Sequence, residues 1–186
     1  VLGMQGKTNS YSYYGHTPVT QALLGVRYEL ATEEQTDSLM SLRDEMDGYS
    51  LYETRYFLAP VFLADTAVTE MTLLQEGPFE YQNHLMQYMT GGEDRFEYTG
   101  LQGSKEVEVT AYADGRCIVY ISSDIEQCNA EIYRDGEMVS SFSFDSLETP
   151  QMVDLQDVKT GDRITIRSDD ETGEISGKLA IMNYDR

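Results

Sequence analysis

The residues best suited to hold a ligand cluster at Ser10-Tyr11-Ser12-Tyr13-Tyr14-Gly15-His16, beside the start of a helix. Flat aromatic faces edged with hydroxyls suit sugar rings, which offer apolar C–H patches and rings of hydroxyls. Tyr11, Tyr13, Tyr14 and His16 are therefore candidate substrate-binding residues, although tyrosines at a junction between lobes would look the same. Gln82 and Asn83 complete the candidate set. Gln82 shares a helix face with Leu85, Met86 and Met89, and an amide turned toward apolar neighbours usually ties down nearby backbone. That structural role is favoured for both amides over ligand binding. No catalytic residue stands out. There is no phosphate-cradling glycine loop, no Gly-x-Ser-x-Gly elbow and no His-Glu-x-x-His helix. A hydrolytic triad would have to use His16 or His84, and neither has a recognisable nucleophile nearby. A glycosidase needs two carboxylates facing across a cleft, and spacing does not show which of the 33 Asp and Glu would face each other.

Metal and redox chemistry find equally little. Cys117 and Cys128 lie far in sequence from both histidines, whereas a structural zinc needs four ligands. If Arg116–Ser122 and Asn129–Arg134 are neighbouring hairpin strands, Cys117 falls opposite a residue near Tyr133, so unpaired buried thiols are expected. A bridge between facing sheets is the exception. The run Asp169-Asp170-Glu171-Thr172-Gly173-Glu174 offers clustered oxygens to calcium but lacks the Asp-x-Asp-x-Asp-Gly frame. A solvated hairpin loop is the simpler reading. No metal and no cofactor are expected.

The elements that must position these residues change character near Thr90-Gly91-Gly92. Before it, Thr17-Pro18 caps a short helix closed by Gly25, and Val26–Leu30 reads as a strand. Leu39, Leu42 and Met46 have near-helical spacing, whereas Tyr49–Leu58 and Val61–Ala64 read as strands around Pro60. Gly77-Pro78 opens the clearest helix, Phe79–Met89. Beyond Gly92 the pattern is all strand. Val107, Val109 and Ala111 alternate with polar residues, Cys117–Ile121 is apolar on both faces, and Asp135-Gly136 marks a two-residue hairpin. The expected fold is α+β, with a mixed lobe over 1–92 and an antiparallel, jelly-roll-like β-sandwich of about eight strands over 93–186.

Charge bounds the partners. With 13 Lys and Arg against 33 Asp and Glu, the net charge of −20 excludes nucleic acid as an expected partner and disfavours anionic lipid surfaces. At 40% hydrophobic and 11% aromatic residues the chain can bury a core. No apolar run approaches the ~18 residues of a spanning helix. The sequence opens in mid-pattern without a start methionine, and reads as an excised piece of something longer.

Several stretches, taken in order, resemble the YfhO family of membrane proteins of Gram-positive bacteria. They are Tyr13-Tyr14-Gly15 with Thr17-Pro18 and Leu23-Leu24-Gly25-Val26-Arg27-Tyr28; Leu51-Tyr52-Glu53 with Leu58-Ala59-Pro60-Val61-Phe62; Gly77-Pro78-Phe79-Glu80-Tyr81-Gln82-Asn83 with Met89-Thr90-Gly91; and Ile132–Glu137 with Lys159-Thr160-Gly161-Asp162. Arg27, Thr54 and Asp135 stand where lysine, asparagine and asparagine are commoner. The resemblance implies a polytopic membrane protein similar to lipid-linked sugar transferases of the GT-C type, acting on lipoteichoic acid or a related envelope polymer. This chain would be its extracytoplasmic domain at the cell membrane. Its implied partners are an envelope glycopolymer or sugar and the transmembrane part of the same protein. In GT-C transferases the catalytic carboxylate lies in an early loop between membrane helices, so no catalytic residue carries over. The alternative is a secreted or surface carbohydrate-binding module without transferase activity.

Overall fold

Strands dominate the second half of the chain, whereas the first half mixes short strands with helices. The computed structural model describes all residues except 1, 5, 8, 9, 12, 14, 33, 35, 36, 73–76, 146–150, 170–172, 185 and 186, and the backbone alone at 6, 7, 10, 11 and 145. Two compact units form: His16–Ala64, and Val1–Gly15 together with Asp65–Arg186. The expected boundary after residue 92 thus falls inside the larger unit.

The smaller unit begins with helix α1 (Pro18–Leu23). Thr17 caps it: its Oγ1 accepts from Thr20 N at 3.1 Å while Thr20 Oγ1 accepts from Thr17 N at 2.7 Å. These reciprocal bonds satisfy donors that a helix start leaves over, and Pro18 needs none. Strands β3 (Tyr28–Ala31), β4 (Met40–Met46) and β5 (Tyr49–Thr54) follow as an antiparallel sheet in the order β3-β5-β4.

Helical spacing of Leu39, Leu42 and Met46 is misleading, because they sit in and beside a strand. Only Leu39 is buried; Leu42 and Met46 are 49% and 69% exposed. A register shift between Leu42 and Asp44 breaks the alternation that would have shown a strand. The turn is Asp47-Gly48, with φ of 53° and 82°, which pairs Met46 with Tyr49. No strand forms at Val61–Ala64.

In the larger unit, β1 (Gly6–Lys7) pairs with β2 (Ser10–Tyr11). A 3-10 turn (Thr66–Glu70) and helix α2 (Pro78–Thr90) then precede eight strands: β6 (Phe96–Ser104), β7 (Glu106–Thr110), β8 (Gly115–Ile121), β9 (Gln127–Arg134), β10 (Glu137–Asp145), β11 (Gln151–Val158), β12 (Arg163–Ser168) and β13 (Glu174–Met182). They form two four-stranded sheets ordered β10-β9-β12-β7 and β11-β8-β13-β6, the jelly-roll arrangement. Cys117, Val119, Ile121, Ala130, Ile132, Leu155, Ile164, Ile166, Leu179 and Ile181 fill the space between them. The chain crosses from one sheet to the other at Lys105, whose φ is 68°. A Cβ on Gly103 would lie 2.7 Å from Glu106 O, so glycine permits that corner.

The α+β class is therefore overturned. The described residues hold thirteen strands in four antiparallel sheets against two α-helices, so the chain is mostly antiparallel β and exceeds the expected strand count. The hairpin placing Cys117 near Tyr133 is also absent, since β8 and β9 belong to different sheets. Cys117 faces Ile181 across its ladder and Cys128 faces Phe144 and Ser168. Both thiols are free and buried. Burial pushes them up, Cys128 to about 12, so neither is a ready nucleophile.

Acid sensitivity is built into the β11–β12 turn. Asp162 is 2% exposed and accepts from Arg134 Nε at 2.9 Å, Arg134 Nη2 at 2.6 Å and Lys159 N at 2.8 Å. The Arg134 bond, helped by the Lys159 amide, holds its carboxyl below the ordinary 3.8. The unfolded chain therefore takes up this proton first. Its contribution is complete above about pH 4 and is lost as pH falls through the folded value. Asp114, which accepts from Thr160 N and Oγ1 and pairs with Lys159, is held at about 2. Asp162→Asn should flatten the loss of stability as pH falls below about 4. Urea midpoints across that range would check it, and a slope equal to wild type would remove Asp162 from the account.

Candidate functional site

Helix α2 lies on the outer face of the sheet containing β6 and β13. Pro78 fills its first turn, Gly91 ends it at φ 66°, and Phe79 anchors it against Phe96 and Tyr98 with ring centroids 5.3 and 6.1 Å apart. Glu80 pairs with Lys178 of β13, whose ammonium lies 4.9 Å from the Tyr98 ring centre.

This docking fixes where Gln82 and Asn83 point. Gln82 Nε2 donates to Leu2 O at 2.9 Å and lies 3.7 Å from Met152 Sδ. Asn83 Nδ2 donates to Phe96 O at 2.9 Å, while its Oδ1 accepts from Arg95 N at 3.0 Å and Phe96 N at 2.9 Å. Both amides are buried and bonded to backbone. Gln82 holds the N-terminal segment, and Asn83 holds the entry to β6.

Gly15, which follows the tyrosine stretch, reaches the same place. Met152 N donates to Gly3 O at 3.1 Å, and a Cβ on Gly15 would lie 2.6 Å from Gly3 O. The structure thus gathers Gln82, Leu2-Gly3 and Gly15, two residues beyond Tyr13, around Met152. Tyr13 is half-buried. His16 opens the smaller unit just before the Thr17 cap. Tyr14 and the Tyr11 side chain lie outside the described residues, as do 170–172 of the acidic run. His84 lines a hollow of about 400 Å³ with Ala67, Met71, Thr72, Gln87 and Tyr88.

Sequence reading passed over one charged constellation. In the smaller unit, Glu53 Oε1 accepts from Arg27 Nε at 2.8 Å and Oε2 from Arg43 Nε at 2.6 Å. Arg27 also lies over the rings of Tyr28 and Phe57, at 5.0 and 4.7 Å. The Arg27 bond, reinforced by Arg43, holds the Glu53 carboxyl below its ordinary value. A carboxylate fixed between two guanidinium groups stays ionised and is a poor proton donor. Beside it, Thr54 Oγ1 donates to Val26 O at 3.0 Å and Thr54 N to Arg27 O at 2.8 Å. The family-like stretches ending at Tyr28 and at Glu53 thus meet where these two residues pair across the β3–β5 ladder. Pairing β3 with β5 from sequence would have exposed the cluster.

Among the described residues, no three His, Cys, Asp or Glu side chains are placed to hold a metal ion, and no helix is long and apolar enough to cross a membrane.

These features describe a β-sandwich with a docked helix and a separate three-stranded unit, in which recognisable side chains fasten backbone. A sequence model described as bacterial membrane protein YfhO matches residues 1–167, and the chain belongs to that family. No curated protein matches it. Two solved structures similar to part of it are Drosophila melanogaster CENP-C bound to CAL1 and the Drosophila melanogaster CENP-C cupin domain. Both are 15% identical; TM-scores are 0.29 and 0.28, with 52% and 50% of this chain covered and 66% and 60% of those chains. The chain therefore spans less than two thirds of either.

Proposed function

We propose that this chain is the extracytoplasmic domain of a polytopic, glycosyltransferase-like membrane protein. It assists sugar transfer from a polyprenyl-phosphate donor to an envelope polymer such as lipoteichoic acid, and supplies no catalytic residue. The supporting observation is what the family-like stretches do. Phe79, Gln82 and Asn83 fasten α2; Arg27, just before β3, is tied to Glu53 of β5; Gly91 and Asp162 close a helix and a turn. Residues engaged in this way build a scaffold, and the chemistry is left to parts of the protein outside this chain. Contact with the acceptor falls to the tyrosine segment Tyr11–Tyr14, since the helix amides are engaged with backbone.

Polymer glycosylation by the whole membrane protein in cells tests this reading. Replacing Tyr11, Tyr13 and Tyr14 by alanine should lower glycosylation while the isolated chain keeps its melting temperature. Alkaline phosphatase fused after Arg186 should be active, as expected outside the cytoplasm. Wild-type glycosylation after removal of residues 1–186, or an inactive phosphatase fusion, would overturn it.

A further inference from the structure

The smaller unit exposes an apolar loop that its own fold does not cover. From Phe57 through Ala64 the chain reads Phe-Leu-Ala-Pro-Val-Phe-Leu-Ala, without a charge or a hydrogen-bonding side chain. It forms neither helix nor strand. Val61, Phe62 and Leu63 are 88%, 41% and 101% exposed, so Leu63 meets water as fully as in an open peptide. Scattered apolar residues on a surface are ordinary, whereas three consecutive large ones mark a contact.

The surroundings indicate what is contacted. At the base of the loop, Leu58 N donates to Ala22 O at 3.1 Å, Arg27 lies over Phe57, and Arg55 lies 5.4 Å from the Tyr56 ring centre. Tyrosine and arginine at the base with Val, Phe and Leu at the tip is the order found at a membrane interface. Amphipathic rings and snorkelling guanidinium groups sit among headgroups, with aliphatic groups below them. No carboxylate occurs from Thr54 to Ala64, although the chain carries −20 overall. A loop without polar side chains has little with which to specify a protein partner, whereas a fluid apolar phase needs no matched shape. The family is one of membrane proteins.

We propose that the Phe57–Ala64 loop inserts its Val61-Phe62-Leu63 tip into the lipid bilayer, seating the smaller unit on the membrane. Attraction is hydrophobic and opposed by charge. Binding should favour zwitterionic over anionic lipid and strengthen with salt on anionic vesicles.

The chain contains no tryptophan, so Leu63→Trp introduces a single reporter. With phosphatidylcholine vesicles its emission should shift to the blue and be quenched by brominated lipid, whereas Val139→Trp on the sandwich should not respond. The 186-residue chain should cosediment with these vesicles. Val61→Asp combined with Leu63→Asp, at two solvent-exposed positions, should weaken binding about tenfold or more at an unchanged melting temperature. Failure of the wild-type chain to cosediment, wild-type binding by the double variant, or unshifted Leu63→Trp emission would overturn the proposal and turn the loop toward a protein partner.

Discussion

Phe79→Ala should lower the stability of the larger unit by about 3–5 kcal/mol, the range for removing a fully buried aromatic ring. Phe79 has no exposed surface, packs at a tilt against Phe96 and stacks on Tyr98 of β6. The loss reaches beyond the ring. A helix of 13 residues is marginal alone, so α2 depends on this contact to stay on the sheet. Removing it loosens the bonds from Gln82 and Asn83 as well. In urea the midpoint should fall without a change of slope, and Phe79→Leu should recover more than half of the loss. A shift below about 1 kcal/mol would mean that α2 is held by something other than Phe79.

The same Asp-Gly signal illustrates how far the sequence could be read. Asp135-Gly136 stands between apolar alternating segments and was legible as a hairpin; the structure gives φ of 53° and 85° and pairs Glu137 with Arg134. Asp47-Gly48 turns the chain in the same way, yet it ends a polar stretch whose few apolar residues fall three and four apart. A bulge shifted the alternation, and exposure of Leu42 and Met46 removed the burial on which periodicity rests. Helix α2 was legible because its signals are local: Pro78 at the first turn and Gly91 at the end. Which strands share a sheet was not, because β8 and β9 are adjacent in sequence yet lie in different sheets. The Arg27–Glu53–Arg43 cluster stayed hidden for the same reason, since its members come from three strand regions joined only by pairing.

Asn83→Ala should cost about 2–4 kcal/mol, a loss that separates the two roles open to this residue in the sequence. The substitution removes one donor and one doubly used acceptor, leaving Arg95 N, Phe96 N and Phe96 O without their partner at a buried strand entry. Each group deprived of a bond costs about 1–3 kcal/mol, and the three share one site, so their costs do not simply add. Gln82→Ala should cost less, about 1 kcal/mol, because the bond to Leu2 O that it removes lies at a part-buried carbonyl. Asn83→Asp keeps the acceptor toward the two amides and loses the donor to Phe96 O, so it should fall between wild type and alanine. A ligand-binding amide behaves otherwise: its removal leaves the melt in place and changes only what binds. The ordering wild type, Asp, Ala in urea midpoint therefore assigns Asn83 to the fold. Equal midpoints for all three would remove Asn83 from the fold and reopen the ligand-binding role that the sequence left open for it.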